Sequence, residues 1–164
     1  MPGEIHPFVL HFAVGLLLVA PLSDALGLLL HREGLLITGR WTTLMGTIAA
    51  VATVLSGLGA EATLPPHSAA GEALLNIHGA LGWVTLLVWV PVAAWRAAVK
   101  GPLPIRARTL YLALAMAGGV ILTAETLLGS AMVYRHGLGL SPAARAEPLA
   151  QTPASGRVKV EKGR

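Results

Sequence analysis

Six histidines occur in this 164-residue chain, and two of them lie inside long apolar segments at nearly matching depth. His11 precedes Arg32 by 21 residues, and His78 precedes Arg96 by 18. At about 1.5 Å of rise per helical residue the two rings differ in height by less than one turn. One imidazole on each of two membrane helices is the donor set that holds a haem iron from both faces. Each ring is also followed four residues later by a glycine, Gly15 after His11 and Gly82 after His78. Residues four apart share a helix face, so each glycine opens a side-chain-free patch beside its histidine, the room a flat macrocycle needs.

Two carboxylates fall in the same layer. Glu61 lies 21 residues from Arg40 and Glu125 lies 17 from Arg108. A carboxylate deep in a membrane helix costs on the order of 2.5–3.5 kcal/mol to insert, so Glu125 is expected to face the bundle interior and find a partner there, whether Thr123, Thr126 or a neighbouring helix. Glu61, nearer the interface, reads as a second polar group of the layer or as a solvated end. An outer pair lies further along: His6 is 26 residues from Arg32 and His136 is 28 from Arg108, roughly 8–15 Å beyond the first pair. If these rings converge they form a second haem or metal site, with Arg135 or Tyr134 placed to bind propionates. Asp24 precedes Arg32 by eight residues and reads as an Arg-paired helix-end residue with a proton or quinone role open to it. His31 and His67 read as solvated loop residues.

The elements that position these groups follow from composition. Hydrophobic residues make up 54% of the chain and charged residues 12%, against about 25% charged in soluble domains, and the mean hydropathy is +0.68. Nearly uncharged runs cover Phe8–Leu30, Trp41–Ala60, Leu74–Trp95 and Thr109–Tyr134, each long enough for the roughly 20 residues that cross a bilayer. The fold class is all-α: four transmembrane helices at about 8–30, 41–60, 74–95 and 109–134 in one domain, residues 1–140. Short connections at His31–Gly39, Glu61–Ala73 and Lys100–Arg106 predict an up-down-up-down bundle with helices 1 and 3 diagonal, so His11 and His78 should face each other. The remaining glycines, such as Gly46, Gly57 and Gly118, read as ordinary close packing of membrane helices.

Arg32 and Arg40 flank one connection, and Arg96, Lys100, Arg106 and Arg108 another, which places both on the cytoplasmic side and both termini in the periplasm of a bacterial inner membrane. Met1–Pro7 carries no Lys or Arg ahead of a 23-residue apolar run, so helix 1 is not expected to be a cleaved signal peptide. The isoelectric point of about 10.1 reflects the basic loops, half of the twelve Lys and Arg residues, rather than a nucleic-acid surface. With no cysteine, disulfides, thiolate clusters and covalent haem attachment are excluded. From Ser141 the proline-rich tail, 141–164, reads as a periplasmic linker or docking arm.

The opening Ile5-His6-Pro7-Phe8-Val9-Leu10-His11-Phe12, followed by Gly15-Leu16-Leu17 and Asp24, resembles the HPxxVHFPxGLL start of a bacterial family of predicted four-helix membrane proteins carried as a domain of unknown function. The closing Val133-Tyr134-Arg135-His136-Gly137-Leu138-Gly139-Leu140 resembles that family's VYRHGxGx end. Ala13 stands where the family often has proline, and Gly129-Ser130-Ala131-Met132 where it often has GGEL. The resemblance implies the four-helix fold and draws attention to His6, His11, His78 and His136; it implies no reaction. No nucleophile–base constellation speaks for an enzyme with its own turnover. The residues point first to a b-type cytochrome-like subunit with haem b on His11 and His78, exchanging electrons with other subunits of a membrane redox complex, a periplasmic cytochrome or quinone. The alternatives are a non-haem metal or transport site on the same residues, and a structural or assembly subunit without cofactor.

Overall fold

A computed structural model describes residues 2–99 and 105–140, with side chains for 5–99 and 107–140. The tail expected at 141–164 and the prolines of the third connection lie outside the described residues. Four helices account for nearly all of the rest: α1 (Pro2–Leu29), α2 (Glu33–Glu61), α3 (Ala69–Ala98) and α4 (Ile105–His136). All four are long and apolar enough to cross a membrane.

Every helix is longer than its apolar run, because hydropathy marks the part in hydrocarbon while helix ends are set by capping. α1 begins at Pro2, a first-turn position whose missing N–H costs no helical bond. Glu33 begins α2, where an acidic side chain complements the positive helix end. The expected 31–39 connection thereby shrinks to 30–32, turned by His31 at a φ of 53° so that the Arg32 N–H reaches the Gly27 carbonyl at 2.9 Å. Ser68 caps α3, its Oγ accepting from the Gly71 N–H at 3.1 Å. Pro7, Pro21 and Pro91 lie inside helices, as membrane segments tolerate.

Successive helices pack against one another and α1 also packs against α4, while neither diagonal pair comes into backbone contact. Helices 1 and 3 are therefore diagonal, as the short connections predict. α1 and α2 approach most closely: an ideal Cβ on Gly46 would lie 2.7 Å from Leu17, and one on Gly27 2.7 Å from Leu36. The buried apolar centre is Ala13, Leu17, Ala50, Trp89, Val92 and Leu122. Large side chains such as Phe8, Ile48, Leu55, Leu87, Val120 and Leu127 point outward, the arrangement suited to a lipid solvent, where small residues let helices approach.

Candidate functional site

Two histidine rings meet at one end of the bundle, and they are His6 of α1 and His78 of α3. Their centroids are 6.4 Å apart and their planes cross at 88°. His6 Nδ1 lies 2.9 Å from the Thr53 carbonyl and 3.3 Å from Ser56 Oγ, both on α2. His78 Nδ1 lies 3.1 Å from the Glu125 carbonyl of α4. A carbonyl only accepts, so each ring carries its proton on Nδ1 and leaves the Nε2 lone pair uncommitted to any described residue. Glycines seat both rings: a Cβ on Gly57 would stand 3.1 Å from His6 Cε1, and one on Gly129 3.2 Å from His78 Cε1.

Directly below sits Glu125, 5% exposed, whose Oε2 accepts from Thr85 Oγ1 at 2.6 Å. Thr123 and Thr126 instead donate back to Gly119 and Leu122 of their own helix, so the partner comes from the neighbouring helix. Gly82 faces this carboxylate, its missing Cβ 3.3 Å from Glu125 Oε1. A void beside Thr53, Thr85 and Glu125 admits about one water molecule.

The expected facing of His11 and His78 is corrected. His11 is exposed on the outer surface, its Nδ1 donating to the Pro7 carbonyl one turn back, and Gly15 beside it has nothing within 4 Å. The inward face of α1 carries Ala13, Leu17, Ala20 and Asp24. At about 100° per residue, position 11 stands roughly 160° around the helix from Ala13. His78 meets instead the histidine five residues nearer the start of α1. Gly82 makes room for Glu125, not for a macrocycle next to His78. Glu61 ends α2 exposed, Arg135 and Tyr134 are exposed, and His136 closes α4 half-buried. His6 makes its ring contact with His78, and none joins it to His136 among the described residues. His67, expected to be solvated, is held through Nε2 by Glu72 Oε2 at 2.7 Å.

The other end of the bundle is closed by an ionic knot. Asp24 of α1, 2% exposed, accepts from the Tyr111 hydroxyl of α4 at 2.6 Å and faces Arg96 Nη2 of α3 at 3.5 Å. Arg96 also donates to the Leu36 carbonyl of α2 at 2.9 Å and stands 6.0 Å over the Tyr111 ring, within cation–π range. Thr43 Oγ1 lies 3.4 Å from the Tyr111 hydroxyl. Gly39 lets the carboxylate in, since a Cβ there would lie 2.3 Å from Asp24 Oδ1. The expected Arg pairing of Asp24 holds, with Arg96 as the arginine. Arg96 and Arg40, counted as loop charges, belong to α3 and α2, and buried Arg96 spends Nη2 on Asp24 and the Leu36 carbonyl while its Nε has no hydrogen-bond partner among the described residues.

A polytopic four-helix membrane protein, with a histidine pair at one end and a buried ion pair at the other, is the class these features define. A family model described as "Predicted membrane protein (DUF2231)" matches residues 3–142. The chain belongs to that family, the kind of family its opening and closing segments resemble. Comparison with curated proteins and with solved structures found no match.

Proposed function

We propose that the histidine end binds haem b non-covalently through His6 and His78 and that the protein is an electron-transfer subunit of the membrane. The observation that carries this reading is the spacing of the rings. The rings stand with centroids 6.4 Å apart and planes crossing at 88°, close enough that His6 and His78 could both hold one metal centre. Ligating imidazoles characteristically donate their second ring nitrogen to a carbonyl or carboxylate, which fixes tautomer and orientation; Thr53 and Glu125 carbonyls serve both rings here.

Ligand number favours haem over a bare ion. No group of three or more His, Asp or Glu side chains that could share an ion occurs among the described residues. A closed zinc site takes four protein ligands, whereas a haem would need only His6 and His78 from this protein. The bound iron would supply one-electron chemistry. The protein's own residues hold the rings, fix their tautomers and place the site at the end of the bundle away from Arg40 and Arg96. By the positive-inside rule that end is periplasmic, so its partner is a periplasmic cytochrome or another subunit there, with quinone on the membrane side as the second partner.

The test is the visible spectrum of protein purified from haem-replete cells. A Soret band should be present, and should be lost in His6→Ala and in His78→Ala but retained in His11→Ala. Absence of the band in the parent protein, or equal loss in His11→Ala, refutes the assignment.

A further inference from the structure

At the arginine end, α2 and α3 enclose an outward-facing groove of about 470 Å³, inside the roughly 300–1,000 Å³ range of small-molecule sites. Its walls are apolar: Leu44, Ile48 and Val51 from α2, Val90 and Ala94 from α3, with Trp41 and Ala97 at one end. From Trp41 to Val51 the groove runs ten residues, about 15 Å along the helix. That is half of the roughly 30 Å hydrocarbon core, or the depth of one leaflet.

Arg40 stands just beyond the Trp41 end of the groove, next to Trp41 in the chain and bonded to the carbonyl of groove residue Ala97. Arg40 Nη2 reaches the Ala97 carbonyl only at 3.4 Å, and Arg40 Nε is buried with no hydrogen-bond partner among the described residues. A guanidinium carries five N–H donors and no acceptor, and its fork matches phosphate oxygens. Trp41 beside it is 59% exposed, the placement of an aromatic at a membrane–water boundary. An apolar trough one leaflet long, with an under-used guanidinium and an interfacial tryptophan at its mouth, matches one lipid in length and complements an anionic headgroup in charge.

We infer that the α2–α3 groove binds an anionic phospholipid of the arginine-side leaflet, an acyl chain lying along Leu44–Val51 and its phosphate on Arg40. A partner transmembrane helix could use the small face of Ala93, Ala94 and Ala97 but would bring no anion to the guanidinium, which a phosphate does. This inference is independent of the histidine site.

Native mass spectrometry of the detergent-solubilised protein, with phosphatidylglycerol or phosphatidylcholine added, tests it. The parent protein should retain phosphatidylglycerol about fivefold better, the effect of one basic side chain at an anionic membrane surface. Arg40→Gln should fall to the phosphatidylcholine level, and Arg32→Gln, an exposed arginine in the adjacent connection, should not. Ala94→Trp fills the groove from an outward-facing position and leaves Arg40 in place, so its loss of lipid separates groove filling from any folding effect of the arginine. Equal retention of the two lipids by the parent, or undiminished retention in Arg40→Gln or Ala94→Trp, overturns the inference. Loss of a dimer in Ala94→Trp with lipid binding unchanged would identify the groove as an interface between copies instead.

Discussion

Gly39→Ala should be among the most damaging single-methyl changes in the protein. The added Cβ would lie 2.3 Å from Asp24 Oδ1 and 2.5 Å from its Cγ, so the carboxylate has to leave. Its departure breaks the 2.6 Å bond from Tyr111 and the 3.5 Å contact with Arg96. Overpacking costs about 1–3 kcal/mol, and a hydrogen bond to a charged group contributes about 1.5–3 kcal/mol. Allowing for partial relaxation, the loss is about 3–5 kcal/mol, against the small gain in helix propensity from replacing glycine. The assay is unfolding in mixed micelles by a denaturing detergent, followed by tryptophan fluorescence. Gly15→Ala, with nothing within 4 Å, is the control and should be neutral or slightly stabilising. The decisive arm repeats Gly39→Ala in an Asp24→Ala background, where the colliding group is gone and the added cost should drop below about 1 kcal/mol. An equal cost in both backgrounds refutes the reasoning, since the penalty would then come from somewhere other than the carboxylate.

Thr85→Val removes the 2.6 Å donor to buried Glu125 and should cost about 1.5–3 kcal/mol in the same unfolding measurement, with Thr85→Ser close to the parent. Gly137 holds a φ of 63° at the end of α4, which turns the chain so that Leu138 N–H meets the Met132 carbonyl at 3.1 Å and Leu138 packs on Gly71. Gly137→Ala should therefore lose about 1 kcal/mol, whereas Gly79→Ala, in open space, should not.

What could be read from the sequence divides by the geometry each reading needed. Helix number and identity required only length and hydropathy, and the four apolar runs located all four helices. Their ends required capping information: Glu33 and Ser68 begin helices ahead of the apolar stretch. The inward placement of Glu125 followed from the cost of a carboxylate in lipid. Histidine pairing needed rotation about the helix axis as well as depth, and counting residues from the nearest arginine reports no rotation. The signal that was available is the row Ala13, Leu17, Ala20, Asp24 at spacings of four and three, a stripe of α1 that ends on a carboxylate and passes close to His6 and far from His11. Asp24's partners lie 72 and 87 residues away, a separation over which no local pattern speaks. The HGLG segment drew notice as a motif with histidine chemistry, and in the fold its glycine and leucine serve as a helix stop.

The two buried carboxylates also differ in what happens to them during synthesis. Asp24 is made with the first helix, and Arg96 follows 72 residues later; at about 5–20 residues per second the nascent chain holds an unaccompanied acid for roughly 4–15 s. Its position near the end of α1, five residues before Leu29 closes the helix, keeps it within reach of hydrating water throughout that wait. Glu125 lies far from either end of α4, where no such refuge exists, but Thr85 precedes it by 40 residues and is already translated when it appears. The bundle thus places its early acid at the rim and its late acid in the middle, an order that would make a circularly permuted chain beginning with α4 harder to insert than the natural one.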